Sequence, residues 1–251
     1  MSDNATRSGA TRVARMLLAL TACCGAVPPA IASATEAGIH PSFLPERLGS
    51  PTAFSFAFTL EGAEAQVPPP LSRMVVDLPA GLGFDLGAAA TCPPSRARRG
   101  GPASCPAKSL IGRGHAMLEV HAGSQAIGEE ALLWALRTPN RGGQASFALF
   151  GQGQTPLQQN STSIAVLSPD RAPYGSKLTV SIPRIPTVMY EPDASIISLS
   201  LTVGAAHGRS RAQAFALTVP RRCPPGGFPF AAEFAFADGT STTATAHLPC
   251  P

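Results

Sequence analysis

Few residues in this 251-residue chain are spaced to do chemistry. His115, Glu119 and His121 would share one face of a strand, because strand side chains alternate with a period of two. Two imidazoles and a carboxylate form a metal-ligand or acid–base set. An extended strand, however, separates positions six apart by about 20 Å. The opposite face carries Ala116, Leu118 and Val120, so a solvated outer face accounts for the set equally well. His40, His207 and His247 stand alone. No His-Glu-x-x-His helix motif occurs, and no Gly-x-Ser-x-Gly nucleophile elbow.

The carboxylates are scattered. Glu129 and Glu130 are adjacent, so on a strand they point to opposite faces. Glu191 and Asp193 flank Pro192 in a loop, as a solvated turn or as oxygen ligands for calcium. Glycoside hydrolysis needs two acids about 5–10 Å apart. Here they would have to come from separate strands, Glu119 and Glu233 being the candidates.

Arg96, Arg98 and Arg99 form the densest charge cluster. They could contact an anionic polymer such as a wall polysaccharide, or simply keep an exposed loop soluble. Without interleaved aromatics they do not read as a nucleic-acid surface. Trp134 and most phenylalanines lie on apolar stripes and are expected in the core, which leaves Tyr174 and Tyr190 for ligand contact. No catalytic residue, cofactor site or metal site is assigned.

Cysteines are the clearest reactive set, and their reading is structural. Cys23 and Cys24 lie near the N-terminus, leaving Cys92, Cys105, Cys223 and Cys250. Four cysteines allow three pairings. The local one, Cys92 with Cys105 and Cys223 with Cys250, is expected because each pair brackets a Pro/Gly-rich loop or a hairpin. Without a Cys-x-x-Cys pair, a zinc site is disfavoured.

Residues 1–34 read as an export signal: Arg7, Arg12 and Arg15, then an apolar stretch from Met16 to Val27, then Ala30-Ile31-Ala32 and Ala32-Ser33-Ala34 as cleavage sites. Leu20-Thr21-Ala22-Cys23 resembles a bacterial lipobox, which would make Cys23 a lipidation site. Both outcomes place residues 35–251 outside the cytoplasm, secreted or lipid-anchored at the cell surface. No later stretch is long and apolar enough to be a membrane helix. Removing the signal takes away three arginines and one acid, so the net charge of +4 falls to a small positive value, too weak for a nucleic-acid footprint.

The elements that would position these residues are strands. Charged residues make up only 14% of the chain, and its 24 glycines and 26 prolines are spread out as turn punctuation. Alternating runs occupy Thr52–Glu61, Arg73–Pro79, Gly114–His121, Glu129–Thr138, Ala145–Gly151, Ser161–Leu167, Lys177–Pro183, Ser195–Val203 and Ala212–Pro220. Leu132, Trp134 and Leu136 form the apolar stripe of the fourth run, and Ile197, Leu199, Leu201 and Val203 that of the eighth. Residues 35–51 read as a polar lead-in. The chain closes on Phe230, Ala232, Phe234 and Phe236, then Asp238-Gly239, then Ala244, Ala246 and Leu248. Asp-Gly between alternating runs predicts a two-residue type I′ hairpin. The expectation is an all-β chain: one antiparallel β-sandwich of about ten strands, two local disulfides and no helix.

Phe43-Leu44-Pro45-Glu46-Arg47-Leu48-Gly49, Leu78-Pro79-Ala80-Gly81-Leu82-Gly83, the Cys92-Pro93 and Cys105-Pro106 pairs, and Cys223-Pro224 through Pro249-Cys250-Pro251 together resemble secreted β-rich proteins of high-GC actinobacteria. The resemblance spans most of the chain after the signal. It implies a secreted β-rich protein and carries no catalytic residue over. The expected function is a non-catalytic secreted or cell-surface structural or binding protein. An envelope polysaccharide hydrolase, a carbohydrate-binding module and a surface lipoprotein anchored at Cys23 are the alternatives. The partner left open is a cell-wall or extracellular polymer.

Overall fold

A computed structural model describes residues 35–63, 66–122, 125–155, 158–187, 192–204 and 215–251. The signal segment, Cys23, Tyr190, Glu191 and His207 lie outside them. Among the described residues the strands are β1 (Glu36–Leu44), β2 (Pro51–Glu61), β3 (Leu71–Pro79), β4 (Gly83–Asp85), β5 (Leu110–Ala122), β6 (Gln125–Arg141), β7 (Gln144–Gly153), β8 (Asn160–Pro169), β9 (Tyr174–Ser181), β10 (Ser195–Val203), β11 (Ala216–Thr218), β12 (Phe228–Phe236) and β13 (Ser241–Leu248). A seven-residue helix, α1 (Pro94–Gly100), interrupts them. No described helix is long and apolar enough to cross a membrane.

The strands form one antiparallel sheet, not two. Its order is β13-β12-β3-β9-β8-β7-β6-β5-β10-β2-β11-β4, with β1 also paired to β2. The expected two-sheet sandwich is therefore corrected. Sheets accumulate right-handed twist, and a sheet this wide must curl. Here it rolls until its distant ends meet. Phe54 of β2 stacks on Phe230 of β12 with ring centres 5.7 Å apart, and Phe58 lies 5.0 Å from Phe234. β1 lies beside β13, yet among the described residues no hydrogen-bonded ladder joins them. The core fills the inside of the roll. Alternation in a sequence marks which face is buried; it cannot say whether a second sheet or the far end of the same one covers it.

Local departures from expectation have local causes. Residues 36–44 are a strand rather than a lead-in. Only Ile39 and Phe43 are fully buried, and Pro41 is tolerated because an edge strand needs a ladder on one side alone. A bulge in β10 between Ile196 and Ser198 brings Ile196, instead of Ile197, into line with Leu199 and Leu201. On β6 the inward residues are Ala131, Leu133 and Ala135, while Leu132 is 39% exposed. The closing turn is a three-residue loop. Gly239 N–H donates to the Phe236 carbonyl and only Gly239 has a positive φ, at 88°, so the two-residue type I′ turn is corrected to a type I turn plus a left-handed glycine.

Candidate functional site

The outer face of β5 through β8 carries a row of side chains in direct register. Arg113 on β5 stands opposite Trp134 on β6, Trp134 opposite Phe150 on β7, and Phe150 opposite Thr162 on β8. The Trp134 and Phe150 rings lie 6.0 Å apart at 59°. One step along the strands, Gln152 faces Asn160.

The loop closed by Cys92 and Cys105 folds onto this face. Pro94 at the start of α1 has its φ preset for a helix. Ala97, the one buried residue of α1, packs with Cys92, Leu136 and Ala148, and Leu110, Ile164 and Cys105 surround them. Leu136 is therefore buried on the outer face by the loop, not in the main core. Backbone bonds hold the loop in place: Cys92 N–H donates to the Arg137 carbonyl at 2.8 Å, and Gly101 N–H to the Ala97 carbonyl at 2.8 Å. Arg137 Nη1 donates to the Ala89 carbonyl at 2.6 Å and also to that of Leu86. The Ser104 hydroxyl closes the turn onto the Gly101 carbonyl at 2.7 Å.

With Ala97 turned inward, Arg96, Arg98 and Arg99 are exposed. Arg98 and Arg99 line a groove of about 770 Å³ between the loop and the sheet. Half-buried Trp134, fully buried Phe150, Arg113, Gln152 and Asn160 line it from the sheet. No carboxylate is among the described lining residues. The volume lies within the range of ligand sites. Chemically, the groove offers three guanidinium forks, an aromatic face and two amides.

The other sequence candidates do not gather. His115 is exposed beside Arg113 on the outer face of β5, and Glu119 lies further along the same strand. Glu233 is on β12, six strands from β5 in the sheet order, and both acids face outward. Glu129 is buried and Glu130 exposed, on opposite faces of β6. Asp193 pairs with Arg184 at 3.8 Å. No group of three His, Cys, Asp or Glu side chains among the described residues is placed to hold a metal.

One acid pair does form, on the outer face across β3 and the end of β8. The Asp77 carboxyl is pushed above the usual carboxylate range, first by burial, then by the charge of Asp170 and a hydrogen bond to it; Lys177 opposes the shift. The Tyr174 hydroxyl is also pushed up, by burial and by both acids.

The groove was half legible. Its arginines stand out in the sequence, whereas Trp134 was expected in the core, and nothing local sets Arg113, Gln152 or Asn160 beside it. The parity of Trp134 against Ala131, Leu133 and Ala135 was the available signal. Compared with family models, curated proteins and solved structures, the chain matches none.

Proposed function

We propose that the protein is a non-catalytic binding protein of the cell exterior, and that the outer groove takes an anionic polysaccharide. The observation that carries this reading is that Arg98, Arg99 and Arg113 line, together with Trp134, a groove with no carboxylate among its described lining residues. Guanidinium groups bind carboxylate or phosphate through paired, charge-assisted hydrogen bonds. A half-buried indole offers a flat apolar face to a sugar ring. The two disulfides fit an oxidising compartment.

Titration with polygalacturonate, and with dextran as a neutral control, tests the reading. Polygalacturonate should bind, dextran should not, and affinity should fall with added salt as exposed charges are screened. Trp134→Ala should weaken binding by about tenfold or more, as truncating a central aromatic anchor does. Arg98→Ala/Arg99→Ala changes only exposed side chains, so the fold should persist while the salt dependence flattens. Equal binding of dextran, or unaltered binding by both variants, would overturn the assignment.

A further inference from the structure

The inside of the rolled sheet holds two cavities that share no lining residue with the groove. Protein interiors leave few voids larger than a water molecule. Here two cavities, of about 70 and 90 Å³, share a wall of Met74, Leu149, Val180 and Leu199. They lie end to end. On β6 the first takes Glu129, Ala131 and Leu133 and the second Ala135. On β8 the first takes Ser161 and Ser163 and the second Ala165 and Leu167.

Polarity follows the same axis. The second cavity is walled by apolar side chains alone, among them Phe56, Val76, Ile111 and Phe147. Polar side chains collect at the other end: Glu129, Gln159, Ser161 and Ser163. Glycines keep that end open; a Cβ on Gly153 would come within 2.0 Å of a Glu129 carboxylate oxygen. Half-buried Ile182 and Ile185 also line it. An apolar cavity of about 150 Å³ stays dry and takes up apolar molecules from water.

We propose that this lumen binds one unbranched aliphatic chain with an uncharged hydroxyl head, the chemistry of a long-chain alcohol. The chain lies along Leu149 and Val180 toward Phe147, and the head meets Ser161, Gln159 and Glu129. Two small cavities in line suit a linear chain. Serine hydroxyls and a glutamine amide both donate and accept, so they satisfy a hydroxyl. A charged head would have to be desolvated in this lumen, whereas a hydroxyl would not.

The test is displacement of N-phenyl-1-naphthylamine by 1-alcohols from hexanol to dodecanol. Affinity should rise roughly fourfold per added methylene and then level off where the lumen is full. Decanoate should compete at least about tenfold more weakly than 1-decanol, because its charged head must be desolvated. Ser163→Phe places a ring in the first cavity; it should abolish decanol competition while its melting transition stays cooperative. The chain-length series uses the wild-type protein and stands whether or not that variant folds. No displacement by any alcohol, affinity independent of chain length, decanoate competing as well as decanol, or a folded Ser163→Phe variant that binds normally would each overturn the proposal.

Discussion

The two disulfide loops use one covalent device for different ends. Cys223 and Cys250 sit just outside the β12–β13 hairpin, 27 residues apart in sequence with Cα atoms 6.0 Å apart. The ladder between them is continuous from Phe228–Leu248 to Ala235–Ser241, and its inward phenylalanines are among the most buried side chains in the molecule. That bond repeats a constraint the ladder already imposes. Cys92 and Cys105 are 13 residues apart with Cα atoms at 5.5 Å, and no ladder joins their flanks. Their loop holds a short helix without a side-chain N-cap, seated through Ala97 on the outside of the sheet. There the bond adds to the Cys92–Arg137 hydrogen bond and the seat of Ala97, and what these shape together is the wall of the groove.

Removing each bond should expose that difference. On the chain-entropy account, Cys223→Ala/Cys250→Ala costs about 3–4 kcal/mol and Cys92→Ala/Cys105→Ala about 3 kcal/mol. Thermal unfolding should therefore show two similar losses. Polygalacturonate titration, run well below both transitions, should separate them. The first variant should bind as the wild type does, and the second should lose most of its affinity because Arg98 and Arg99 no longer face Trp134. Equal affinity in the two variants would mean that the 92–105 bond does not hold the groove wall.

Smaller changes sharpen the contrast without breaking a bond. Ala97 is fully buried against Leu136 and Ala148, so Ala97→Leu overpacks the seat of the loop. It should cost about 1–3 kcal/mol and weaken groove binding at the same time. In the other loop, Gly239 has a φ of 88° with nothing within 4 Å of where a Cβ would stand. Gly239→Ala should therefore cost only the backbone term, about 1–2 kcal/mol in chemical denaturation, and leave groove binding unchanged.

The same contrast explains what the sequence could reveal. The β12–β13 hairpin was legible because its strands have one buried face, so Phe230, Ala232, Phe234 and Phe236 mark it without ambiguity. The alternation of β6 misleads because both of its faces are covered: Ala131, Leu133 and Ala135 by the core, Leu136 by the 92–105 loop. Its larger side chains lie on the outer face, so residue size pointed the wrong way. β1 was hidden because an edge strand with Pro41 at its centre buries only two large side chains. α1 was hidden because its stability comes from the sheet beneath Ala97 and from a disulfide, not from helix propensity over seven residues. The groove depends on register across four strands, which alternation within each strand does not specify.

The smallest effect comes from a region that lies outside the 92–105 loop and serves as a control for it. Asp77 lies on β3, with Asp170 beside it, Lys177 opposite on β9 and Glu233 near on β12. Burial and then the Asp170 charge raise its folded-state pKa above the unfolded value, and Lys177 does not cancel them. The folded protein therefore binds more protons than the unfolded chain between the ordinary carboxyl pKa and the raised one. Stability should fall as pH rises through that window, then stay level with respect to this group. Asp77→Asn removes the penalty on the charged form, so it should melt above the wild type at neutral pH. The gain should shrink as pH drops below the ordinary carboxyl range, where Asp77 is protonated in both states. Melting curves from about pH 3 to pH 8 measure this difference. It should be the same in the Cys92→Ala/Cys105→Ala variant, because Asp77 takes its neighbours from β3, β8, β9 and β12 and none from the 92–105 loop; a gain that vanished with that bond would show that the loop reaches this part of the sheet.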